Sequence, residues 1–394
     1  MKALEPYQAA ALADDVYAIT RQNSLDLTIK YLKSEHGDYF DFSPESMLKG
    51  KSGGPGFLKY RTGFGFALVG KKGTKYAGQA FIMFRGTQYL ADWLTNLNVG
   101  VTRSKSGHPL HDGFNTTFKT MLPHLKTFVT TAVKNGVRTF HCIGHSLGGA
   151  LATICAEWIK SSQGIKPYLY TFGSPRVGLN GFAERCTNAL TGSHIFRAYH
   201  RTDVVPMIPP WPFVHTPFRG QDYYIPSPGL HPGAKWHDMG LYYDSVEELS
   251  WAKLGGLREQ ERTDKLIETW LKHDAPIALT ITSLEWINDA LIYVIKKCLS
   301  GAARLISDTY TTGMTLVDQL AIILHKGINL AATVSSWVTY LIRKMLSLLG
   351  LKKVVDTADM TKEFIRSLLA KLHRKINDYA KQALSKTMVK GRAI

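Results

Sequence analysis

The stretch Gly144-His145-Ser146-Leu147-Gly148-Gly149-Ala150 decides the fold of this 394-residue chain. An apolar, strand-like run at residues 139–143 precedes it, and a helical stretch at residues 150–161 follows it. In a strand–turn–helix with the pattern G-x-S-x-G, the serine occupies a strained turn. That turn leaves no room for side chains two residues away, and glycines stand at both positions. The pattern therefore predicts that Ser146 is a nucleophile at a helix N-terminus, where free N–H groups stabilise an oxyanion.

Strand-like and helical segments alternate on both sides of this motif. Apolar runs predict strands at residues 65–69, 79–84, 139–143, 167–172 and 194–198, and helices are predicted at residues 7–33, 122–135 and 150–161. Glycines and a proline predict a loop over residues 50–56. Strands that alternate with helices favour an α/β fold with a largely parallel sheet.

The character of the chain changes after about residue 251. Strand signals end there, and helices are predicted at residues 258–274, 277–295, 316–324, 328–349 and 363–384. We therefore expect an α/β domain over residues 1–250 and an all-α C-terminal domain over residues 251–394. The last predicted helix carries an apolar stripe with basic residues opposite. This stripe either packs on the other helices or docks on an anionic bilayer.

A serine nucleophile needs a base, and the base needs an orienting acid. In strand–turn–helix serine enzymes these residues follow in the order Ser, Asp or Glu, His. Asp203 comes directly after the strand predicted at residues 194–198, which places it at the same sheet edge as Ser146. Three further aspartates follow no comparable strand and are weaker candidates for the acid, namely Asp222, Asp238 and Asp244.

Three histidines follow Asp203 in the sequence and could serve as the base. His237 is favoured because it precedes a predicted helix that can present its side chain to the sheet edge. His231, in a loop before Pro232, is the second candidate, and His215 is the third. A strand-to-loop junction at Phe84-Arg85-Gly86-Thr87 predicts that Thr87 and Leu147 donate the two N–H groups of an oxyanion hole.

Together these segments resemble the class 3 lipases, the fungal-lipase-like branch of the α/β-hydrolases, in order over residues 7–245. The resemblance implies an α/β-hydrolase fold in which Ser146 is the nucleophile, Asp203 the acid and His237 the base. It also implies that Thr87 and Leu147 are the oxyanion donors. The motifs that carry it are Phe84-Arg85-Gly86-Thr87, Asp92-Trp93-Leu94, His111-Asp112-Gly113-Phe114, Gly144–Ala150, Thr171–Gly178, Asp203-Val204-Val205-Pro206 with Pro209-Pro210, and His237-Asp238-Met239.

Members of this family usually cover their site with a short lid after the oxyanion residue. Here the corresponding segment places bulky apolar side chains on one helical face, which is the pattern of a lid that shields an acyl site. An ordinary packed helix would show the same pattern. The expected lid residues are Tyr89, Leu90, Trp93, Leu94 and Leu97.

The composition, 45% hydrophobic and 20% charged, excludes a disordered or collagen-like chain. The four cysteines have no paired or metal-ligand spacing, so we expect reduced thiols and no disulfide framework. The net charge is +17, and residues 343–394 alone hold 13 basic and 4 acidic residues. Such a basic end favours a polyanion or an anionic membrane surface. No nucleic-acid motif accompanies it, so we expect no nucleic-acid partner.

These observations predict a serine lipase or phospholipase, with A1 favoured over A2, that cleaves membrane phospholipids through an acyl-enzyme. The chemistry requires no metal or other cofactor. One alternative is an intracellular esterase for neutral lipids. Another is a membrane-perturbing helical module whose hydrolase activity is secondary.

The N-terminal residues include early acids and no apolar core, so we expect no secretory signal peptide, and a helical extension follows the hydrolase segment. This combination resembles the bacterial lipase effectors that leave the cell by a contact-dependent, type VI-like route. The resemblance implies synthesis in the cytoplasm and delivery to the periplasm or membrane of a target cell. It also implies a cognate immunity protein and a component of the secretion machinery as partners.

Overall fold

The computed structural model describes residues 3–52, 60–86, 100–218, 222–228, 234–257, 262–299, 315–351 and 357–388. Within these ranges the strands and helices follow in chain order. The strands are β1 (Met47–Ser52), β2 (Tyr60–Val69), β3 (Gln79–Phe84), β4 (Val101–Arg103), β5 (Pro109–His111), β6 (Thr139–His145), β7 (Tyr168–Phe172), β8 (Ile195–His200) and β9 (Tyr223–Ile225). The helices are α1 (Pro6–Asp15), α2 (Ala18–Arg21), α3 (Leu25–His36), α4 (Asp112–Lys134), α5 (Leu147–Gln163), α6 (Asn180–Leu190), α7 (Met239–Val246), α8 (Trp251–Gly255), α9 (Asp264–Lys272), α10 (Ile281–Cys298), α11 (Leu316–Ile328), α12 (Ala332–Leu348) and α13 (Lys362–Met388).

A mixed sheet organises the part of the chain before residue 251. Its described strands lie in the order β1-β2-β3-β6-β7-β8-β9. The first two pairings are antiparallel, and the four from β3 to β9 are parallel. The prediction of a largely parallel α/β sheet is therefore confirmed. Because parallel strands point the same way, the segments that follow β3, β6, β7 and β8 meet at one edge.

Both faces of the sheet are covered, as the sequence of its central strands requires. Every residue of β6 is buried, which is typical of a parallel strand with helices on both sides. Side chains alternate between faces along a strand. Ile82 and Phe84 of β3 accordingly pack in the core under α4 and α5, whereas Phe81 and Met83 pack in the core under α1 and α7.

Two segments of the N-terminal part differ from the prediction. The single helix expected over residues 7–33 is divided into α1, α2 and α3. Ser24 starts the third of them because its hydroxyl accepts a hydrogen bond from the Leu27 N–H at 3.2 Å, as an N-cap does. Residues 50–52, expected in a loop, complete β1 and pair with residues 60–62 of β2, while residues 53–59 lie outside the described ranges.

The described residues after 251 are helical, as expected, and they pack on the α/β part. One hydrophobic core cluster includes residues of α4 and α5 together with residues of α10 to α13. Polar contacts join α10 to the segments after β7 and β8. Arg176 Nη1 donates to Asn288 Oδ1 at 3.0 Å, and Arg201 Nη2 donates to Thr282 Oγ1 at 3.1 Å. The domain boundary near residue 250 stays a prediction.

The apolar stripe of α13 faces the other helices. Its members are buried in the core cluster, so packing within the protein accounts for the stripe. The apolar residues 327–342 do not form one helix, because α11 ends at Ile328 and α12 begins at Ala332. In the ranges that the structure describes, every helix is too short or too polar to span a bilayer. The buried stripe residues are Ile365, Leu368, Leu369, Leu372 and Ile376.

Candidate active site

Ser146 occupies a strained turn between β6 and α5. Its φ is 58° and its ψ is −129°, a conformation that a residue other than glycine rarely adopts. The neighbouring glycines allow the turn. A Cβ on Gly144 would lie 2.2 Å from the Gly148 carbonyl oxygen, and one on Gly148 would lie 2.1 Å from the Phe84 carbonyl oxygen. The local sequence therefore permits the backbone crossing that places Ser146 at the sheet edge.

Ser146, His237 and Asp203 form a continuous hydrogen-bonded chain. The distance from His237 Nε2 to Ser146 Oγ is 2.9 Å, and that from His237 Nδ1 to Asp203 Oδ2 is 2.8 Å. The three side chains are buried. Asp203 lies just beyond the end of β8, and His237 ends a short 3-10 turn before α7. The structure thus brings together the three residues that the sequence predicted for the triad.

The competing candidates have other contacts. Asp222 pairs with Arg197 at 2.8 Å, and Asp238 Oδ1 accepts from the Leu241 N–H at 3.2 Å as the N-cap of α7. Asp244 is exposed on α7. His215 Nε2 contacts the Pro206 carbonyl oxygen at 2.6 Å, so this partly buried ring is held by the loop after Asp203. The remaining candidate, His231, lies outside the described residues.

Tyr242 holds the acid of the triad and was given no role by the sequence analysis. Its hydroxyl donates to Asp203 Oδ2 at 2.7 Å and accepts from the His200 N–H at 3.0 Å. The Val205 N–H donates to the other oxygen, Asp203 Oδ1, at 2.9 Å. Burial and the negative charge of Asp203 raise the pKa of Tyr242 well above its ordinary value. The tyrosine therefore stays protonated, and its O–H stabilises the carboxylate.

A second hydrogen-bonded group supports the loop that precedes the predicted oxyanion residue. The Tyr17 hydroxyl accepts from the Gly86 N–H at 2.8 Å and lies 2.8 Å from His145 Nδ1. The Tyr17 hydroxyl therefore links the Gly86 backbone to the His145 ring, which directly precedes the nucleophile. Arg85 also braces this loop, since its Nη1 donates to the Gly86 carbonyl oxygen at 2.7 Å.

The charge state of His145 bears on the triad. Burial, reinforced by its neighbour His237, lowers the pKa of His145 well below 6.5. The two imidazole rings lie 4.6 Å apart. A neutral His145 leaves His237 free to become the cation that proton transfer from Ser146 requires, because no second positive charge stands beside it.

The oxyanion hole is only partly described. Leu147 is the first residue of α5, where the first N–H groups of a helix have no partner within the helix. Thr87 and the five predicted lid residues, Tyr89, Leu90, Trp93, Leu94 and Leu97, lie outside the described residues. Across the ranges that are described, no group of three or more His, Cys, Asp or Glu side chains is arranged to hold a metal ion.

Comparison with known proteins agrees with this geometry. Residues 81–213 match the family model of the class 3 lipases, described as Lipase (class 3). The chain is 34% identical over 153 residues to Secreted mono- and diacylglycerol lipase 1 of Fusarium solani, covering 38% of this chain and 44% of that one. It is 27% identical over 236 residues to Phospholipase A1-II 4 of Oryza sativa subsp. japonica, covering 52% and 57%.

A bacterial relative matches over a shorter segment. The chain is 43% identical over 74 residues to Toxin TseL of Vibrio cholerae, covering 18% of this chain and 11% of that one. The matched part spans less than half the length of the fungal relative, 44% of it. Residues 81–213 are thus similar to the class 3 lipases, a family of α/β-hydrolases, and Ser146, His237 and Asp203 have the arrangement of a serine hydrolase triad.

Proposed function

We propose that this protein hydrolyses acyl ester bonds of membrane phospholipids. It acts as a phospholipase A1 in preference to a phospholipase A2, so it releases the fatty acid mainly from the sn-1 position. The observation that carries the proposal is the continuous contact from Ser146 Oγ through His237 to Asp203, at 2.9 and 2.8 Å. The charge of +17 favours an anionic or phosphate-bearing interface over a neutral lipid droplet. A relative named Phospholipase A1-II 4 supports the same position.

The geometry accounts for each proton transfer in the reaction. Ser146 Oγ attacks the acyl carbonyl while His237 Nε2 takes its proton, and Asp203 stabilises the imidazolium through Nδ1. The Leu147 N–H and the predicted donor Thr87 receive the negative oxygen of the tetrahedral intermediate. His237 then protonates the departing glycerol oxygen, which leaves an acyl-enzyme on Ser146. A water that gives its proton to His237 attacks this ester, and His237 returns a proton to Ser146 Oγ as the fatty acid leaves.

Access to this site requires a conformational change. The Ser146 and His237 side chains have no exposed surface in the structure. An ester therefore reaches the nucleophile only after a movement that uncovers both side chains. Class 3 lipases commonly use a lid for this purpose, so we retain residues 89–97 as its proposed position.

We also propose that the protein acts as an antibacterial effector. The similarity to a protein named as a toxin, over 74 residues, supports this proposal. In this role the chain reaches the periplasm or membrane of a target cell by a contact-dependent secretion system. A cognate immunity protein in the producing cell would then block the Ser146 cleft. Secretion of the parent protein into the periplasm of a susceptible host should arrest growth, whereas secretion of Ser146→Ala should not.

The activity is tested with phosphatidylglycerol vesicles whose two acyl chains differ in mass. The parent protein should release mainly the acyl chain at the sn-1 position, and Ser146→Ala should release less than a thousandth as much fatty acid. Ser336→Ala, which removes an exposed hydroxyl on α12, is the matched control and should retain full activity. Equal release by Ser146→Ala would overturn the triad assignment.

The same assay separates the alternatives. Release of the sn-2 chain alone would change the positional assignment to a phospholipase A2. Faster hydrolysis of triacylglycerol emulsions than of phospholipid vesicles would favour a neutral-lipid esterase. Dye leakage from vesicles treated with Ser146→Ala, as fast as with the parent protein, would favour a membrane-perturbing helical module.

A further inference from the structure

A second pocket lies between the β4–β5 hairpin and helices α4 and α5, and none of its lining residues belongs to the triad. Glu157, in its wall, follows Ser146 on α5 by roughly 16 Å of helix. Apolar side chains line part of the pocket, and four basic side chains line another part. The apolar residues are Phe118, Leu122, Ile154 and Trp158, and the basic residues are Arg103, Lys105, Lys119 and Lys126.

Glu157 is the acidic residue that lines this pocket, and one of its two carboxylate oxygens has no hydrogen-bond donor. The side chain is 97% buried, since its relative exposure is 3%. Its Oε1 accepts from the Ser106 N–H at 2.9 Å and from the hydroxyls of Ser104 and Ser161 at 3.3 Å each. Its Oε2 is buried and has no hydrogen-bond partner. A buried carboxylate oxygen without a donor is costly, so a small rotation of the Glu157 side chain that turns this atom into the pocket would let it accept from a ligand.

The basic residues are arranged to receive an anion. Lys119 and Lys126 stand seven positions apart on α4, two turns of the helix, and therefore on the same face. Leu122 lies between them on that face, beside the apolar part of the pocket. All four basic residues are exposed, and in the described part of the chain no carboxylate forms an ion pair with any of them.

We propose that this pocket binds the headgroup of a phospholipid whose phosphate is followed by an ammonium group, the phosphatidylethanolamine type. The basic residues neutralise the phosphate, and Glu157 Oε2 accepts a hydrogen bond from the ammonium group. The apolar residues contact the glycerol and the first carbons of the acyl chains. The proposal rests on the proposed function, because a phospholipid bilayer is the surface on which that reaction takes place. The pocket anchors the protein to that bilayer apart from the site of hydrolysis.

Two other interpretations explain less of the pocket. A purely structural Glu157 would latch the β4–β5 hairpin onto α5, which accounts for Oε1 but leaves Oε2 without a partner. An acidic protein partner would pair with the basic residues, but its carboxylates would be repelled by Glu157. A ligand with both a phosphate and an ammonium group can pair with the basic residues and with Glu157 Oε2 at the same time.

The test measures vesicle binding in the Ser146→Ala background, so that the lipid is not consumed. One set of vesicles is pure phosphatidylcholine, and the other is an equal mixture of phosphatidylcholine and phosphatidylethanolamine. The two sets carry the same net charge, but only the ethanolamine headgroup donates N–H hydrogen bonds. We expect at least threefold tighter binding to the ethanolamine vesicles. Glu157→Gln should abolish this preference, because its amide can keep the Oε1 contacts while it places a donor where Oε2 stands. Equal binding of the two vesicles by the parent background, or a preference retained by Glu157→Gln, overturns the proposal.

Charge reversal tests the phosphate contact. Lys119→Glu/Lys126→Glu should weaken binding to both vesicles at least tenfold, because each reversal replaces a charge-assisted contact to the lipid phosphate by a repulsive one. Lys30→Glu/Lys33→Glu on α3 is the matched control, because both lysines are exposed and lie outside the pocket. An equal loss in the control shows general attraction to the surface and overturns the assignment, as does tighter binding to polyglutamate than to the vesicles.

Two further measurements keep the failures distinguishable. The thermal midpoint of Glu157→Gln reports whether the contact between Glu157 and the β4–β5 hairpin is intact. If Glu157 served only to hold this hairpin, the substitution would leave the headgroup preference unchanged. Hydrolysis of a soluble ester by Lys119→Glu/Lys126→Glu with Ser146 intact should equal that of the parent protein. If Ser146 proved dispensable for hydrolysis, the proposed reaction would fail while the headgroup preference would still be measured independently.

Discussion

Replacing Gly173 by alanine should disable the triad without changing any of its three residues. Gly173 directly follows β7 and has a φ of +53°, in the left-handed region. A Cβ at this position would lie 2.7 Å from Asp203 Oδ2 and 3.1 Å from His237 Nδ1. The added methyl group would therefore press on the contact that orients the imidazole.

The size of the effect follows from these distances. An ordinary carbon–oxygen contact begins near 3.4 Å, so Asp203 must move by about 0.7 Å to accept a Cβ at 2.7 Å. A misplacement of about 1 Å in a catalytic group costs roughly 100-fold in rate. We expect kcat for Gly173→Ala to fall by about 50- to 100-fold, with KM within twofold of the parent value. The left-handed backbone adds about 1 kcal/mol of lost stability for a residue with a Cβ.

Gly164→Ala separates the backbone cost from the steric effect. Gly164 caps the end of α5 with a φ of +71°, and a Cβ there meets no atom within 4 Å. This variant should lose about 1 kcal/mol of stability and keep its full kcat. The assay uses a soluble p-nitrophenyl ester, so that binding to lipid plays no part, and a phosphonate titration to count active sites. A kcat for Gly173→Ala within threefold of the parent, or an equal loss in both variants, would refute the reasoning.

Two more predictions concern the buried polar groups. Tyr242→Phe removes the donor to Asp203 and the acceptor of the His200 N–H. The free energy of unfolding in urea should therefore fall by about 2–4 kcal/mol, and kcat should fall by about tenfold. Unchanged stability would contradict the assigned contacts. Burial lowers the pKa of His111 and of His141 from 6.5 to about 3, so the unfolded chain binds more protons than the folded one between these values. The stability that each neutral ring contributes is complete above pH 6.5 and declines below it by about 1.4 kcal/mol per pH unit. Urea unfolding between pH 7.5 and 5 should show a decline to which each of these two rings contributes this slope, and His141→Gln should reduce it by one histidine's share.

The triad could be predicted from sequence because its chemistry constrains the local sequence of each member. The strained turn at Ser146 demands glycines two residues away, and these are visible without any structure. Asp203 follows an apolar strand, and His237 precedes a helix, so each lies at an element boundary that hydrophobic periodicity can locate. The chain order Ser, Asp, His then leaves few assignments to choose from.

The residues that support the triad could not be found in this way. Tyr17 and His145 are 128 positions apart in the chain, and no periodic pattern relates them. Tyr242 follows His237 closely, and the turn from the 3-10 segment into α7 directs its hydroxyl toward Asp203. The strands β4, β5 and β9 escaped prediction because three residues are too few to show alternation.

Two features of the structure bear on the proposed binding to membranes. The apolar stripe of α13 is buried among helices, so it is unavailable for insertion into lipid. The basic residues of the exposed face, Lys371, Arg374 and Lys375, still contribute a positive potential. A potential of this kind draws the protein toward any anionic surface and is screened over about 8 Å at physiological salt. It cannot distinguish headgroups of equal charge. That distinction requires a buried acceptor beside a set of cations, which is the arrangement that we propose for Glu157 with Lys119 and Lys126.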